Sequence, residues 1–262
     1  MLIANWNISY LHNTESKVQY LKEKIRNQSY IIILQEVIPS AFETIHYSFE
    51  NEAQVEYSLK YRVPGKYDNR SRKLGVAIIL SRDFQIVSAN VLERALLPDR
   101  TLYVEASREG KTIRILGLHS ITGCEHKKAK ELQFYSFAEG IDILRPDIVG
   151  IDANEPKTDH YNIREMEFFD NRLGGDGCKT FFSVMAENKL KDAYILKYDS
   201  KAYKRGIPLT VSHIIQRGSK PVRYDFLFIN QEMFPDYECV YDYERAIRAG
   251  SDHAAVLLSI PD

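Results

Sequence analysis

The sequence predicts an α/β protein that mixes parallel and antiparallel strand pairing within one compact domain spanning residues 1–262. Three observations carry this. Continuous apolar runs, Ile31-Ile32-Ile33-Leu34 among them, have the pattern of strands buried on both faces. Segments with apolar residues at helical spacing fall between such runs. Two β-branched runs meet across Glu109-Gly110-Lys111, a hairpin turn that brings antiparallel pairing with it.

The elements follow in order. Residues 2–8 form a β-branched and aromatic strand, and Asn13 or Thr14 caps a helix carrying Val18, Leu21 and Ile25 on one side. The apolar strand 31–34 stops at Gln35-Glu36, and Pro39 opens a second helix with Phe42 and Ile45 on one side. Residues 55–63 read as a strand, 64–73 as a loop, and 74–80 as another core strand. Three further strands are expected at 84–92, 101–107 and 112–118. A helix over 127–144 places Ala129, Leu132, Ala138 and Ile141 on one face, and strand 147–151 ends at Asp152. Residues 163–190 read as mostly helical with a break at Gly174-Gly175-Asp176-Gly177. A polar, basic segment over 197–223 precedes strands at 224–229 and 254–260.

Composition narrows the class. A content of 44% hydrophobic and 27% charged residues is that of a soluble globular chain. The formal net charge of -1 argues against a general nucleic-acid coat and leaves room for a local basic patch. No apolar run is long enough to span a bilayer. Residues 1–8 lack the pattern of a signal peptide, and Cys124, Cys178 and Cys239 are widely spaced with no CxxC, so reduced thiols in a cytoplasmic protein are expected.

Chemistry-bearing side chains gather at strand ends. Asn7 ends the first strand and Glu36 the second; His119-Ser120 follows Ile115-Leu116-Gly117-Leu118. Asp152 and Asn154, two residues apart, project from one face of an extended segment. Asp225 opens the apolar run 226–229 and needs a partner there; a histidine would serve. Asp252-His253 sits between a Gly-Ser turn and an alternating apolar run. Taken singly, each has a plain structural explanation as a turn former or a solvated strand end. Jointly they form an inventory of carboxylates, amide oxygens and two imidazoles, which suits Mg²⁺, with Mn²⁺ or Ca²⁺ as alternatives, better than zinc. A hard cation beside histidines suits phosphate-ester hydrolysis.

In this order the clusters resemble the endonuclease/exonuclease/phosphatase superfamily, from Trp6-Asn7 through Leu34-Gln35-Glu36-Val37, Gly75-Val76-Ala77, Leu118-His119-Ser120, Asp152-Ala153-Asn154 and Tyr224-Asp225 to Ser251-Asp252-His253. The resemblance implies a four-layer α/β sandwich, two mixed β-sheets packed face to face with helices outside. It also implies roles. Glu36 would be the main metal ligand with Asn7 beside it and Asp252 as an additional acid. Asp152 would activate water, Asn154 would hold the phosphate, and His253, hydrogen-bonded to Asp225, would act in proton transfer or phosphate polarisation. The His119-Ser120 pair is similar to deoxyribonucleases of the pancreatic type, in which an arginine grips phosphate; Arg100 stands at the corresponding place. The chain departs from the pattern in three ways. Ile151 interrupts the usual Gly-Asp adjacency, the acid supporting His119 has no evident counterpart beyond Glu56 on its strand, and the paired cysteines of secreted deoxyribonucleases are missing.

Two basic stretches flank these clusters: Lys60, Arg62, Lys66, Arg70, Arg72 and Lys73, and then Lys197, Lys201, Lys204, Arg205, Arg217, Lys220 and Arg223 with Tyr194, Tyr198 and Tyr203 interleaved. They read either as solvated loops or as a track for a nucleic-acid backbone. The expected activity is metal-dependent phosphodiester hydrolysis by a monomer, with DNA as substrate. The alternatives are hydrolysis of a small phosphorylated metabolite or lipid head group, and a catalytically silent binding module.

Overall fold

The computed structural model describes residues 1–11, 13–61, 74–122, 127–169 and 175–261, with backbone only at 127 and 128. The first half holds β1 (Leu2–Asn7), α1 (Thr14–Lys24), β2 (Tyr30–Val37), α2 (Pro39–Phe49), β3 (Ala53–Tyr57), β4 (Gly75–Ser81), β5 (Gln85–Asn90), β6 (Thr101–Arg108) and β7 (Lys111–His119). Then come α3 (Lys127–Leu144), β8 (Ile148–Asp152), α4 (Gly177–Glu187) and β9 (Leu190–Asp192). The chain closes with β10 (His213–Ile215), β11 (Lys220–Val222), β12 (Asp225–Asn230), β13 (Glu238–Asp242), α5 (Tyr243–Arg248) and β14 (Ala255–Ser259). Local signals set the boundaries. The Asn13 side chain accepts from the Glu15 N–H to cap α1, Pro39 starts α2, and Glu109 and Gly110 turn the β6–β7 hairpin at φ 52° and 75°.

Two six-stranded sheets form, in the orders β13-β14-β1-β2-β4-β3 and β5-β6-β7-β8-β12-β9, with β10-β11 a separate hairpin. Each large sheet contains one parallel pair, β1–β2 and β7–β8, so both are mixed. Strand periodicity sorts the core. Ile31, Ile33, Val76 and Ile78 meet Val104, Ile115, Ile148 and Leu227 between the sheets. Their neighbours Ile32, Leu34, Ala77 and Ile79 face outward onto the helices α1 and α2. On the far side Leu116, Leu118, Val149, Ile151, Phe226 and Phe228 face α3 and α4. This is the expected four-layer sandwich, and it explains the uninterrupted apolar runs: both faces of the central strands are covered.

Several expectations need correction. On α3 the buried apolar residues are Phe134, Phe137, Ala138 and Ile141, so Ala138 and Ile141 face the sheet as expected, while Leu132 is 56% exposed because the inward stripe runs through Phe134 and Phe137 instead. Between 163 and 190 the only α-helix among the described residues is α4; residues 163–165 make one 3₁₀ turn. The strand expected over 55–63 ends at Tyr57 and continues as a 3₁₀ turn over Ser58–Tyr61. Strands β9 and β13 and helix α5 had no distinct sequence signal. The loop at 64–73 lies outside the described residues. No helix among the described residues is long and apolar enough to cross a membrane.

One polar bridge crosses the inter-sheet core. Asn5 Nδ2 on β1 donates to the carbonyls of Ile151 (3.3 Å) and Phe226 (3.0 Å) on the opposite sheet, and its Oδ1 accepts from Gln35 Nε2 at 2.7 Å. A Cβ at position 150 would collide with Asn5 Oδ1, so Gly150 makes room for this amide. The bridge pins the two sheets together immediately beneath the strand ends that carry the polar clusters.

Candidate active site

Glu36 has the wrong strand parity for a site between the sheets. In a regular strand it would follow Leu34 outward, toward the helices. The β2–β4 register instead slips between Leu34 and Val37, and Glu36 takes φ 57°. This bulge inserts one residue and re-aims the carboxylate, whose Oε2 accepts from the Tyr10 N–H at 3.3 Å.

On the facing sheet a row of three polar residues is set by register. His119 on β7 and Asp225 on β12 flank Asp152 on β8 as cross-strand partners. All three share the parity of residues that face the inter-sheet core. The Asp152 carboxylate accepts from Asn7 Nδ2 (2.8 Å), the Asn154 N–H (3.0 Å) and Asn154 Nδ2 (3.4 Å). Burial pushes its pKa up to about 7, against the pull of His253 and with the Asp225 charge adding to the rise. Asn154 sits at φ 48°, and its carbonyl accepts from the buried ammonium of Lys130 at 2.6 Å. The β8 strand end is therefore clamped from α3.

His253 is held by Asp225, with Nδ1 2.8 Å from Oδ2 and both side chains buried. Burial alone would lower the imidazole pKa; the charges of Asp225 and Asp152 outweigh it and raise it from 6.5 to about 10. The segment is stitched to β1, since Trp6 Nε1 donates to the His253 carbonyl (3.0 Å) and Ser251 Oγ to the Asn7 carbonyl (2.7 Å). Trp6 itself is core and stacks obliquely on Tyr20.

His119 is the second imidazole. Burial, Arg100 and the His253 charge hold its pKa well below the usual histidine range, so it is neutral at neutral pH. Arg100 NH1 lies 3.3 Å from both ring nitrogens. Nε2 of His119 is 3.7 Å from Glu36 Oε1 and 3.8 Å from Asp152 Oδ2, too long for direct hydrogen bonds. Glu56 does not support this histidine: it accepts from Tyr61 Oη at 2.6 Å and pairs with Lys60 at 3.6 Å.

Asp252 is exposed and groups with His213 and His253, apart from the Glu36, His119 and Asp152 cluster. Sequence reasoning missed three neighbours. Lys17 is buried on α1, donates to the Ser9 carbonyl at 2.6 Å, and is lowered to about 8 by burial, opposed by Asp252 and Glu36. Lys130 clamps Asn154, and His213 stacks on His253 at 4.2 Å between centroids. Only the helical spacing of Lys17 from Leu21 hinted at any of them.

The basic stretches divide. Arg62, Lys66, Arg70, Arg72 and Lys73 lie outside the described residues. Lys197, Lys201, Lys204, Arg205 and Arg217 are exposed and Lys220 is half-buried. Arg223 is buried and neutralised by Asp159 (2.9 Å) and Asp192 (2.6 Å), so it belongs to the core and not to a charged track. Tyr203 packs on His160 and Tyr161, and Tyr194 on Tyr241.

The donor set fits a hard divalent cation. Ligand atoms of Glu36, His119 and Asp152 lie within 4.8 Å of one another, as do those of Asp152, Asp225 and His253. Oxygen donors predominate, and Asp225 Oδ1 is buried with no hydrogen-bond partner among the described residues.

Comparison with known proteins gives the fold a context. No family model matches the chain, and no curated protein matches it in sequence. Solved structures do match it along its whole length. Truncated TDP2 from Caenorhabditis elegans is 18% identical with a TM-score of 0.63, covering 100% of this chain and 97% of its own. The human Nocturnin catalytic domain with bound sulfate is 15% identical with a TM-score of 0.64, covering 100% and 94%. The 3′ phosphatase NExo from Neisseria, bound to a product DNA hairpin, is 18% identical with a TM-score of 0.64, covering 100% of both chains. These proteins are members of the endonuclease/exonuclease/phosphatase superfamily, and the chain has their fold.

Proposed function

We propose that the chain is a metal-dependent phosphoesterase of this superfamily, cleaving phosphodiester bonds in DNA as an endonuclease-like monomer in the cytoplasm. The observation that carries the proposal is the row His119–Asp152–Asp225, set by strand register and closed by His253 and the bulged Glu36. The partly buried Cys239 is in no disulfide, which fits a reducing compartment. DNA as substrate draws on the product hairpin held by the similar NExo structure and on the exposed basic residues of the 197–217 stretch.

Glu36 would hold Mg²⁺, or Mn²⁺ or Ca²⁺ in its place, with Asn7 and Asp252 as further oxygen donors. The chemistry such a cation supplies is neutralisation of phosphoryl oxygens. Arg100 and Asn154 bind the phosphate, and neutral His119 hydrogen-bonds one of its oxygens. Asp152, with a pKa raised toward neutrality, takes the proton of the attacking water as its oxygen bonds to phosphorus. The P–O ester bond breaks, and the departing oxygen takes a proton from the His253 imidazolium, which Asp225 keeps charged and oriented.

Supercoiled plasmid incubated with Mg²⁺ tests this directly. Nicking that is lost in EDTA and in Glu36→Ala supports the proposal. Intact plasmid with turnover of a small phosphomonoester favours the alternative that the name 3′ phosphatase of NExo brings in, a monoesterase. No turnover of either ester refutes both.

A further inference from the structure

One histidine beside this site has no role in the scheme above. His213 opens the short strand β10, outside both large sheets. Its ring lies on that of His253 with centroids 4.2 Å apart and planes 13° from parallel. Nδ1 is 2.7 Å from the Asp252 carbonyl oxygen, and because a carbonyl only accepts, that nitrogen carries the hydrogen. The backbone is tied to the same places. His213 forms an antiparallel bridge with His253, and the Ala254 N–H donates to the Ser212 carbonyl at 2.7 Å. Ser212 Oγ accepts from the N–H groups of Tyr224 (2.8 Å) and Asp225 (3.2 Å). One small hairpin thus grips the chain segments carrying both members of the Asp225–His253 pair and lays a flat ring on the imidazole.

The need for such a ring follows from geometry. The Asp225 hydrogen bond and the covalent link at Cγ hold the His253 ring at two points and leave it one freedom, a tilt of its plane about the line between them. A planar surface held against one face removes the tilt. Proton delivery to a departing oxygen is sensitive to such motion, since a misplacement of about 1 Å costs on the order of 10²-fold in rate.

We infer that His213 is a positioning residue: its ring, locked by the Asp252 carbonyl, sets the plane of His253 so that Nε2 meets the ester oxygen. The inference rests on the phosphoesterase reading. Three variants test it on whichever phosphoester the wild type turns over. His213→Ala should lower kcat roughly 10- to 100-fold with KM changed less than about twofold. His213→Phe, which keeps a stacked ring and loses the hydrogen bond, should recover kcat to within about threefold of wild type. His213→Asn, which keeps a donor for the carbonyl and loses the ring, should behave as Ala. In NMR spectra of the substrate-free protein, the ring-proton resonances of His253 should move in Ala and Asn and stay near their wild-type positions in Phe. Unchanged kcat in Ala, a raised KM at unchanged kcat, or rescue by Asn and not Phe each overturns the role. A wild type inactive on every phosphoester refutes the phosphoesterase reading and this role with it, whereas an active wild type with an unimpaired Ala variant refutes this role alone.

Discussion

Asp225 Oδ2 stands 2.8 Å from Nδ1 of His253. The imidazole is anchored through Nδ1, which leaves Nε2 as the nitrogen that the proposed scheme turns toward substrate. Asp225→Asn keeps the shape and removes the charge. It should lower kcat by about 10²–10⁴-fold, the usual contribution of a positioned proton donor, with the midpoint for Mg²⁺ activation nearly unchanged. Steady-state kinetics across a Mg²⁺ titration checks both halves; a parallel loss of Mg²⁺ affinity would put Asp225 among the metal donors.

The same pair makes metal-free stability depend on pH. The folded pKa of His253 is raised from 6.5 to about 10, burial being outweighed by the charges of Asp225 and Asp152. The folded state therefore binds the proton more tightly than the unfolded state. Its contribution is fully present below about 6.5 and is lost as pH rises toward about 10. Denaturant unfolding in EDTA across that window should show falling stability in wild type and a flatter curve in Asp225→Asn.

Crowded carboxylates predict stabilisation by cations. Mg²⁺ should raise the melting temperature of wild type, by an amount equivalent to about 2.7 kcal/mol when it is present at 100 times its dissociation constant. Glu36→Gln should abolish most of that response while melting close to metal-free wild type. An equal response in the variant would place the cation elsewhere.

Gly150→Ala puts a methyl group against Asn5 Oδ1 and Ile33 Cδ1, beneath the row His119–Asp152–Asp225. Overpacking of this kind costs about 1–3 kcal/mol, measurable by denaturant unfolding. Activity should fall as well, because the displaced Asn5 amide bridges to the carbonyls of Ile151 and Phe226, next to Asp152 and Asp225.

Arg223→Leu leaves Asp159 and Asp192 buried without their cation and should destabilise the fold by about 3–5 kcal/mol. Lys204→Ala, on the exposed side of the same stretch, should stay within about 0.5 kcal/mol of wild type. Paired unfolding curves separate core cation from surface cation.

Much of this architecture was legible because both faces of β2, β4 and β8 are buried, which writes them as apolar runs, and because the chemistry sits where those runs stop. What stayed hidden depends on distant partners. Arg223 looked like one more surface cation, since its partners Asp159 and Asp192 are 64 and 31 residues away. His213 lies in a three-residue strand too short for any period to register. Glu36 was placed correctly at a strand end, yet its direction is set by a bulge that no residue type announces.

The bulge at Glu36 also settles what the site measures. Glu36 hangs from one sheet, and Asp152, His119 and Asp225 from the other, so the space between them is the gap across a layer of packed aliphatic side chains. The cleft acts as a calliper whose jaws are set by core volume. Trimming Ile33 or Val76, directly beneath, should then be read out as a changed preference among cations of different radius. On the phosphoesterase proposal, metal selectivity would thereby be a property of the interior as much as of the residues that touch the ion.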